Sequence, residues 1–213
     1  MSFCPTDTDF FCFGGKDSGL YVADLKLAES ASDAKAIGQK KIKTAVPFFK
    51  PKVEILGCKG VRAVKWMSDR VVVGGEEHTM RVYDIPTEQE AYNVFTNHKT
   101  ITCVDAAGDQ IVTGSEDGTV RLWDQRQAMG TCKKFEANDG WVSRVKFNPQ
   151  SENVFATCGY QSTKNAAVWD IRCERPLYKL GKSDEPEKMF GLDWLDNKKV
   201  VCGGESGQVK LFG

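Results

Sequence analysis

Histidine is scarce in this sequence: His78 and His98 are the two among 213 residues. That argues against a histidine-rich zinc site. The eight cysteines, Cys4, Cys12, Cys58, Cys103, Cys132, Cys158, Cys173 and Cys202, contain no CxxC pair from which a four-cysteine site is built. No Gly-x-x-x-x-Gly-Lys-[Ser/Thr] loop is present to cradle a phosphate. No apolar run approaches the roughly 20 residues a helix needs to cross a bilayer. An excess of one charge is missing as well. Lys plus Arg total 29 and Asp plus Glu total 29, so no global field draws the chain to nucleic acid or to an anionic membrane. No secretory apolar segment precedes Met1–Phe10, and cysteines such as Cys202 sit inside apolar runs. Reduced, buried, intracellular thiols are therefore expected rather than disulfides. Neither a cofactor, a metal nor a catalytic centre is predicted.

What the sequence does contain is one phrase said five times. Its clearest form is Gly-Ser-Glu-Asp-Gly-Thr-Val-Arg-Leu-Trp-Asp, Gly114–Asp124. Related phrases run Gly14–Asp24, Gly74–Asp84, Cys158–Asp170 and Gly203–Gly213. They end at 24, 84, 124, 170 and 213, with separations of 60, 40, 46 and 43. Three of the four separations match the period of a four-stranded propeller blade. Each phrase reads as strand, tight turn and strand. Gly118 supplies the positive φ that such a turn often demands. Short apolar segments precede the later phrases: Val61–Trp66, Ile101–Asp105, Trp141–Phe147 and Phe190–Leu195. Weaker outer strands follow the non-terminal phrases, at about Val53–Leu56, Ala91–Phe95, Cys132–Phe135 and Leu177–Leu180. The pattern predicts an all-β, WD-type β-propeller domain over residues 1–213, with five recognisable blade hairpins.

In one blade the turn chemistry is complete. His98, Ser115, Asp117 and Trp123 have the types and approximate spacing of a hydrogen-bond relay tying the loop that enters a blade to its central hairpin. The rival reading, a Ser-His-Asp catalytic triad, lacks a nucleophile elbow around Ser115. The other phrases depart from the relay: Glu77 and Ser206 stand at the position of Asp117, and Ala23 replaces the aromatic.

The 60-residue spacing holds an insertion at about 28–52. Between Leu25 and Gly60 there are eight Lys and three acids. Lys40, Lys41 and Lys43 lie beside the apolar Val46-Pro47-Phe48-Phe49 stretch. Two readings stay open: a solvated loop whose aromatic end tacks onto the propeller wall, or a docking segment for an acidic protein or RNA phosphate. Arg62, Lys65, Lys99, Trp141, Arg144 and Tyr160 fall at strand starts and turns, where propeller loops carry binding. Of these, Arg62, Lys99, Trp141, Arg144 and Tyr160 are the candidate partner contacts, since Arg and Trp anchor interfaces. Trp141 has the alternative of burial between blades.

The phrases resemble the WD-repeat family. The ordered set Gly-Trp-Val-Ser-Arg-Val-Lys-Phe-Asn-Pro, Ala-Val-Trp-Asp-Ile-Arg-Cys-Glu-Arg-Pro-Leu-Tyr-Lys-Leu, Gly-Leu-Asp-Trp and Gly-Gly-Glu-Ser-Gly-Gln-Val-Lys-Leu-Phe is narrower. It resembles the final blades of the ribosome-biogenesis WD proteins that partner block-of-proliferation and pescadillo-type proteins. The likeness extends over roughly residues 40–213. It implies a nuclear and nucleolar scaffold acting on precursors of the large ribosomal subunit and their rRNA processing, with RNA contacted through the complex. The family also implies a seven-bladed propeller behind a ubiquitin-like domain that docks onto a very large AAA ATPase. This sequence shows no counterpart of that domain or of about two blades, so that docking is not carried over, and an open or incomplete ring is expected. The competing functions are a WD adaptor in ubiquitin-ligase recruitment or chromatin, and a direct RNA binder.

Overall fold

The structure is a computed structural model and describes residues 2–6, 10–14, 20–24, 60–87, 89–96, 99–127, 130–160, 166–180 and 188–213. The insertion with Lys40, Lys41 and Lys43, the expected strand at 53–56 and His98 lie outside the described residues.

Five antiparallel sheets follow one another along the chain. The first joins β1 (Ser2–Phe3), β2 (Phe10–Gly14) and β3 (Leu20–Asp24). The second joins β4 (Val61–Trp66), β5 (Arg70–Gly75), β6 (Thr79–Asp84) and β7 (Gln89–Phe95). The third contains β8 (Ile101–Ala107), β9 (Gln110–Ser115), β10 (Thr119–Asp124) and β11 (Gly130–Glu136). The fourth contains β12 (Val142–Asn148), β13 (Ser151–Gly159), β14 (Ala166–Asp170) and β15 (Tyr178–Leu180). The fifth contains β16 (Met189–Trp194), β17 (Val200–Gly204) and β18 (Val209–Phe212). Among the described residues no strand pairing joins the fifth sheet to the first.

Sheets stack face to face, so the middle strands are buried on both sides. This is why β5, β6, β9 and β10 lack the polar alternation of a half-exposed strand. Side chains still alternate between the two neighbours. In the third sheet Ile111 and Trp123 pack on Val72, Met80 and Val82 of the second. Val112, Val120 and Leu122, one residue out of phase, pack on Val145, Phe155 and Trp169 of the fourth. Cys12 and Leu20 meet Val71, Val73 and Tyr83 at the first interface. Ala156, Ala166 and Val168 meet Met189, Val200 and Cys202 at the fourth. At the first three interfaces the later sheet contributes bulky rings: Trp66 and Tyr83, then Trp123, then Phe155 and Trp169.

One contact recurs with the repeat. A Cβ added at Gly14 would lie 2.2 Å from Val61 Cγ1. At Gly74 it would lie 2.5 Å from Ile101 Cγ2, and at Gly114 2.7 Å from Val142 Cγ1. The glycine is a socket for the β-branched residue that begins the next sheet's inner strand. In the fourth sheet Cys158 takes this place, and burial pushes its thiol up to about 11. Cys4, Cys12, Cys103, Cys158, Cys173 and Cys202 are free thiols, all buried except the exposed Cys173. The turn after the socket needs positive φ. Gly118 has φ 82°, and His78 adopts 62° at the matching place, an uncommon conformation for a residue with a side chain.

The relay of the third sheet differs from its expected form. Trp123 Nε1 donates to Thr113 Oγ1 at 3.0 Å, not to Ser115. Trp123 faces Ile111 across the β9–β10 pair, which puts Thr113 one diagonal step away and Ser115 a further two-residue repeat along the strand. Ser115 Oγ instead accepts from the Asp117 backbone N–H at 3.3 Å, and Asp117 Oδ1 accepts from Thr119 N and Oγ1. The fourth sheet repeats the pairing: Trp169 Nε1 donates to Thr157 Oγ1 at 3.0 Å. Thr113→Val leaves a buried indole N–H unsatisfied and is expected to cost about 1–3 kcal/mol. Ser115→Ala is expected to cost less. Urea unfolding of the two variants checks the order.

Candidate partner-binding surface

Every complete inner strand carries a β-bulge at its second residue. The pairing slips between Val61 and Ala63, Ile101 and Cys103, Val142 and Arg144, and Met189 and Gly191. The bulged residues are therefore Arg62, Thr102, Ser143 and Phe190. A bulge re-aims its side chain out of the ladder, and here it turns four different groups toward one rim. Thr102 Oγ1 donates to the Val142 carbonyl of the next sheet, and Ser143 Oγ donates to that of Met189. Arg62 binds Glu76 at 2.7 Å and reaches Glu116 of the next sheet at 3.9 Å. Phe190 remains 43% exposed.

The residues just outside the strands complete this rim by a repeated backbone bond. Glu76 N–H donates to Gly60 O, Glu116 N–H to Thr100 O, Tyr160 N–H to Trp141 O and Glu205 N–H to Lys188 O. Lys99 precedes Thr100 and is exposed. At the fourth sheet the equivalent pair is aromatic. Trp141 lies 5.7 Å from Tyr160, and Tyr160 lies 5.1 Å from Phe190 in an edge-on arrangement. Trp141 is 46% exposed, so it is not buried between blades. The cluster is a half-exposed apolar ledge whose members come from three segments and two sheets.

The structure thus brings Trp141 and Tyr160 together and adds Phe190, which sequence reasoning had placed only in a strand. Arg62 stands on the equivalent rim of the second sheet, engaged with Glu76 and Glu116. Arg144 does not share its register. It follows the bulge, is exposed, and lies at the position of Ala63, Cys103 and Gly191. Phrase spacing does not reveal Phe190, because the distance from its bulge to the glycine phrase differs from that of Arg62; the pairing register makes the two equivalent.

A second polar feature crosses the inner strands. Lys65, Asp105, Lys146 and Asp193 occupy one register position in four successive sheets, opposite Val72, Val112, Ala156 and Val201. Their charges alternate in sign. Asp105 is buried; its Oδ1 lies 2.6 Å from Lys65 Nζ, and its Oδ2 accepts from Phe147 N–H at 2.8 Å. One carboxylate therefore staples β4, β8 and β12. These residues border a cleft of about 540 Å³ that also includes Trp194. Among the described residues no group of three or more His, Cys, Asp or Glu is placed to hold a metal ion, and no helix is long and apolar enough to cross a membrane.

The aspartates that end the phrases clamp the turns that follow. Asp124 accepts from the backbone N–H and guanidinium of Arg126, and Asp170 from those of Arg172. The Arg172 guanidinium, aided by its backbone N–H, holds Asp170 down at about 2. A carboxylate depressed on folding adds stability above its usual range and loses it as the pH falls through the folded value. Asp170→Asn is expected to remove up to about one proton of uptake from acid unfolding between about pH 4 and pH 2, which urea titrations across that interval measure. Asp105→Ala leaves Lys65 and a buried N–H without their partner and is expected to cost about 3–5 kcal/mol; thermal and urea unfolding check it.

Comparison with known proteins agrees with this architecture. The family model described as WD domain, G-beta repeat matches residues 89–124. That span runs from β7 to β10, so the sequence repeat is offset by one strand from the sheet. A protein from Ixodes scapularis named "Ribosome biogenesis protein WDR12 homolog" is 30% identical over 191 residues, which are 82% of this chain and 42% of the relative. One of the same name from Drosophila virilis is 29% identical, spanning 97% of this chain and 48% of the relative. The chain spans less than half the length of these curated relatives. Among solved structures, the computationally designed Ika4 protein aligns with a TM-score of 0.58 at 24% identity, covering 71% of this chain and 89% of its own, which bears on the fold alone. The chain carries a match to the WD domain, G-beta repeat, within a series of propeller-like antiparallel sheets, and is similar over most of its length to curated proteins named for ribosome biogenesis.

Proposed function

We propose that the chain is a non-catalytic protein–protein scaffold in assembly of the large ribosomal subunit and its rRNA processing, acting in the nucleus and nucleolus. The observation that carries the scaffold reading is the Trp141–Tyr160–Phe190 ledge. It is held by backbone bonds and left half-exposed on the rim where the bulges converge. Rigid aromatic anchors of this kind concentrate binding energy in interfaces. The names of the relatives supply the pathway. Block-of-proliferation and pescadillo-type proteins on pre-60S particles are the proposed partners. Arg62 and Lys99 contribute at the rim, and exposed Arg144 contributes from the register next to it. Lys40, Lys41 and Lys43 add an electrostatic contact with acidic protein or, within the complex, with RNA phosphate.

Affinity capture of the full chain followed by mass spectrometry tests both halves of the proposal. Recovery of pescadillo-type and block-of-proliferation partners with pre-60S proteins is expected. Trp141→Ala is expected to weaken capture by about 30-fold, the effect of losing roughly 2 kcal/mol at a hot spot, with an unchanged thermal midpoint. Absence of those partners, with cullin or histone-modifying proteins in their place, overturns the pathway. Full capture by Trp141→Ala overturns the ledge as the binding site.

A further inference from the structure

The third and fourth sheets, both complete and four-stranded, part at one place near their outer strands. A groove of about 380 Å³ lies between the end of β11 and the β14–β15 pair. Its floor is apolar, formed by Ala137, Ala167, Trp169 and Pro176, and Arg175 and Lys179 border it. The pairing register explains why it opens here. Arg81, Arg121, Ala167 and Lys210 hold one position in four successive sheets, opposite Val73, Thr113, Thr157 and Cys202. Three of them are long cations and one is a methyl group. Arg81 is buried and binds Glu77 at 2.7 Å. Ala167 leaves the corresponding volume open.

The walls of the groove are tied together. Lys133 of β11 donates from Nζ to the carbonyls of Ile171 at 3.1 Å and Cys173 at 3.0 Å, which fixes β11 against the turn leading to Arg175. A groove fixed in this way needs little ordering when it is filled. Its charge is unbalanced. Glu136, the acid of the lining, is taken up by Lys134 at 2.7 Å, and nearby Asp170 is taken up by Arg172. Glu174 precedes Arg175 but does not line the groove. Arg175 and Lys179 are exposed and form no hydrogen bond or ion pair among the described residues.

We propose that this groove is a docking site for an acidic, extended peptide segment of a partner protein. One apolar side chain of the segment enters over Ala167 and Trp169, and carboxylates on its neighbours meet Arg175 and Lys179. Charge complementarity selects the acid, and the apolar floor selects the side chain. β15 is the last strand of its sheet, so its outer backbone groups are open to an extended chain. Two cations are too few for binding driven by RNA phosphates, which rests on many such contacts. The site goes beyond the aromatic ledge and does not depend on it. Trp141, Tyr160 and Phe190 sit at the heads of inner strands or beside them, whereas the groove lies at outer strands.

The experiment selects short random peptides from a displayed library on the full chain. The enriched peptides are then labelled and titrated by fluorescence anisotropy. They are expected to share an apolar residue with acidic neighbours. Arg175→Glu combined with Lys179→Glu is expected to weaken their binding by about tenfold or more, since attraction becomes repulsion at two contacts. Ala167→Arg restores the residue type of the neighbouring sheets, and it is expected to weaken binding by about the same factor although it adds a positive charge. Both changes are expected to leave the thermal midpoint in place, and Trp141→Ala is expected to leave peptide binding unchanged. Selection that enriches no acidic peptides overturns the proposal, as does binding indifferent to the charge reversal or not weakened by Ala167→Arg. Displacement of the peptide by an equal concentration of a single-stranded uridine oligonucleotide overturns it in favour of RNA. Peptide binding that appears only after Asp184→Asn, Glu185→Gln and Glu187→Gln overturns it in favour of the chain's own acidic segment.

Discussion

The structure depends on a close approach: the head of each inner strand enters the glycine of the sheet before it. Gly14, Gly74 and Gly114 leave room for Val61, Ile101 and Val142, and no side chain larger than hydrogen fits there without displacement. This contact sets the spacing of neighbouring sheets. It also places the interface rings, with Trp123 against Val72 and Val82, and Trp169 against Val112 and Leu122. Close packing makes such an interface intolerant of even one added carbon. The fourth interface shows the rule's latitude: Cys158 takes the glycine's place, and the next strand begins with unbranched, adaptable Met189.

The bulge beside the socket links packing to surface chemistry. Because it recurs at the second residue of each complete inner strand, it aims Arg62, Thr102, Ser143 and Phe190 toward the same rim. Where the residue is a hydroxyl, it bonds to the next sheet and stiffens the stack. Where it is Arg62 or Phe190, it faces outward and offers charge or an aromatic ring. One backbone device thus serves cohesion in two places and exposure in two others. Asp105 reinforces the same junctions from the other end of the inner strands, holding Lys65 and the Phe147 N–H together in a buried setting.

Local elements were legible because strand and turn chemistry is local. The segment read as Val61–Trp66 is β4 to the residue, and the outer strand read at Ala91–Phe95 lies within β7. Within the expected relay, the partner of the tryptophan was not legible. Sequence spacing favoured Ser115, whereas the cross-strand diagonal brings Thr113 to Trp123. Asp105 was passed over because it sits in an apolar strand, where a carboxylate carries no sign of its two partners on other sheets. Phe190 was read as strand filling, since its exposure follows from a bulge that only pairing register reveals.

By itself the sequence determined the unit and its number. Five phrases, near-regular spacing and turn residues at fixed places specify blade hairpins, because hairpin formation depends on residues within a few positions of each other. Tertiary structure decided which hydroxyl meets the tryptophan and which rim residues converge. Those outcomes rest on contacts between sheets some forty residues apart. There, register and a single Cβ decide whether two surfaces meet, and no local pattern encodes the result.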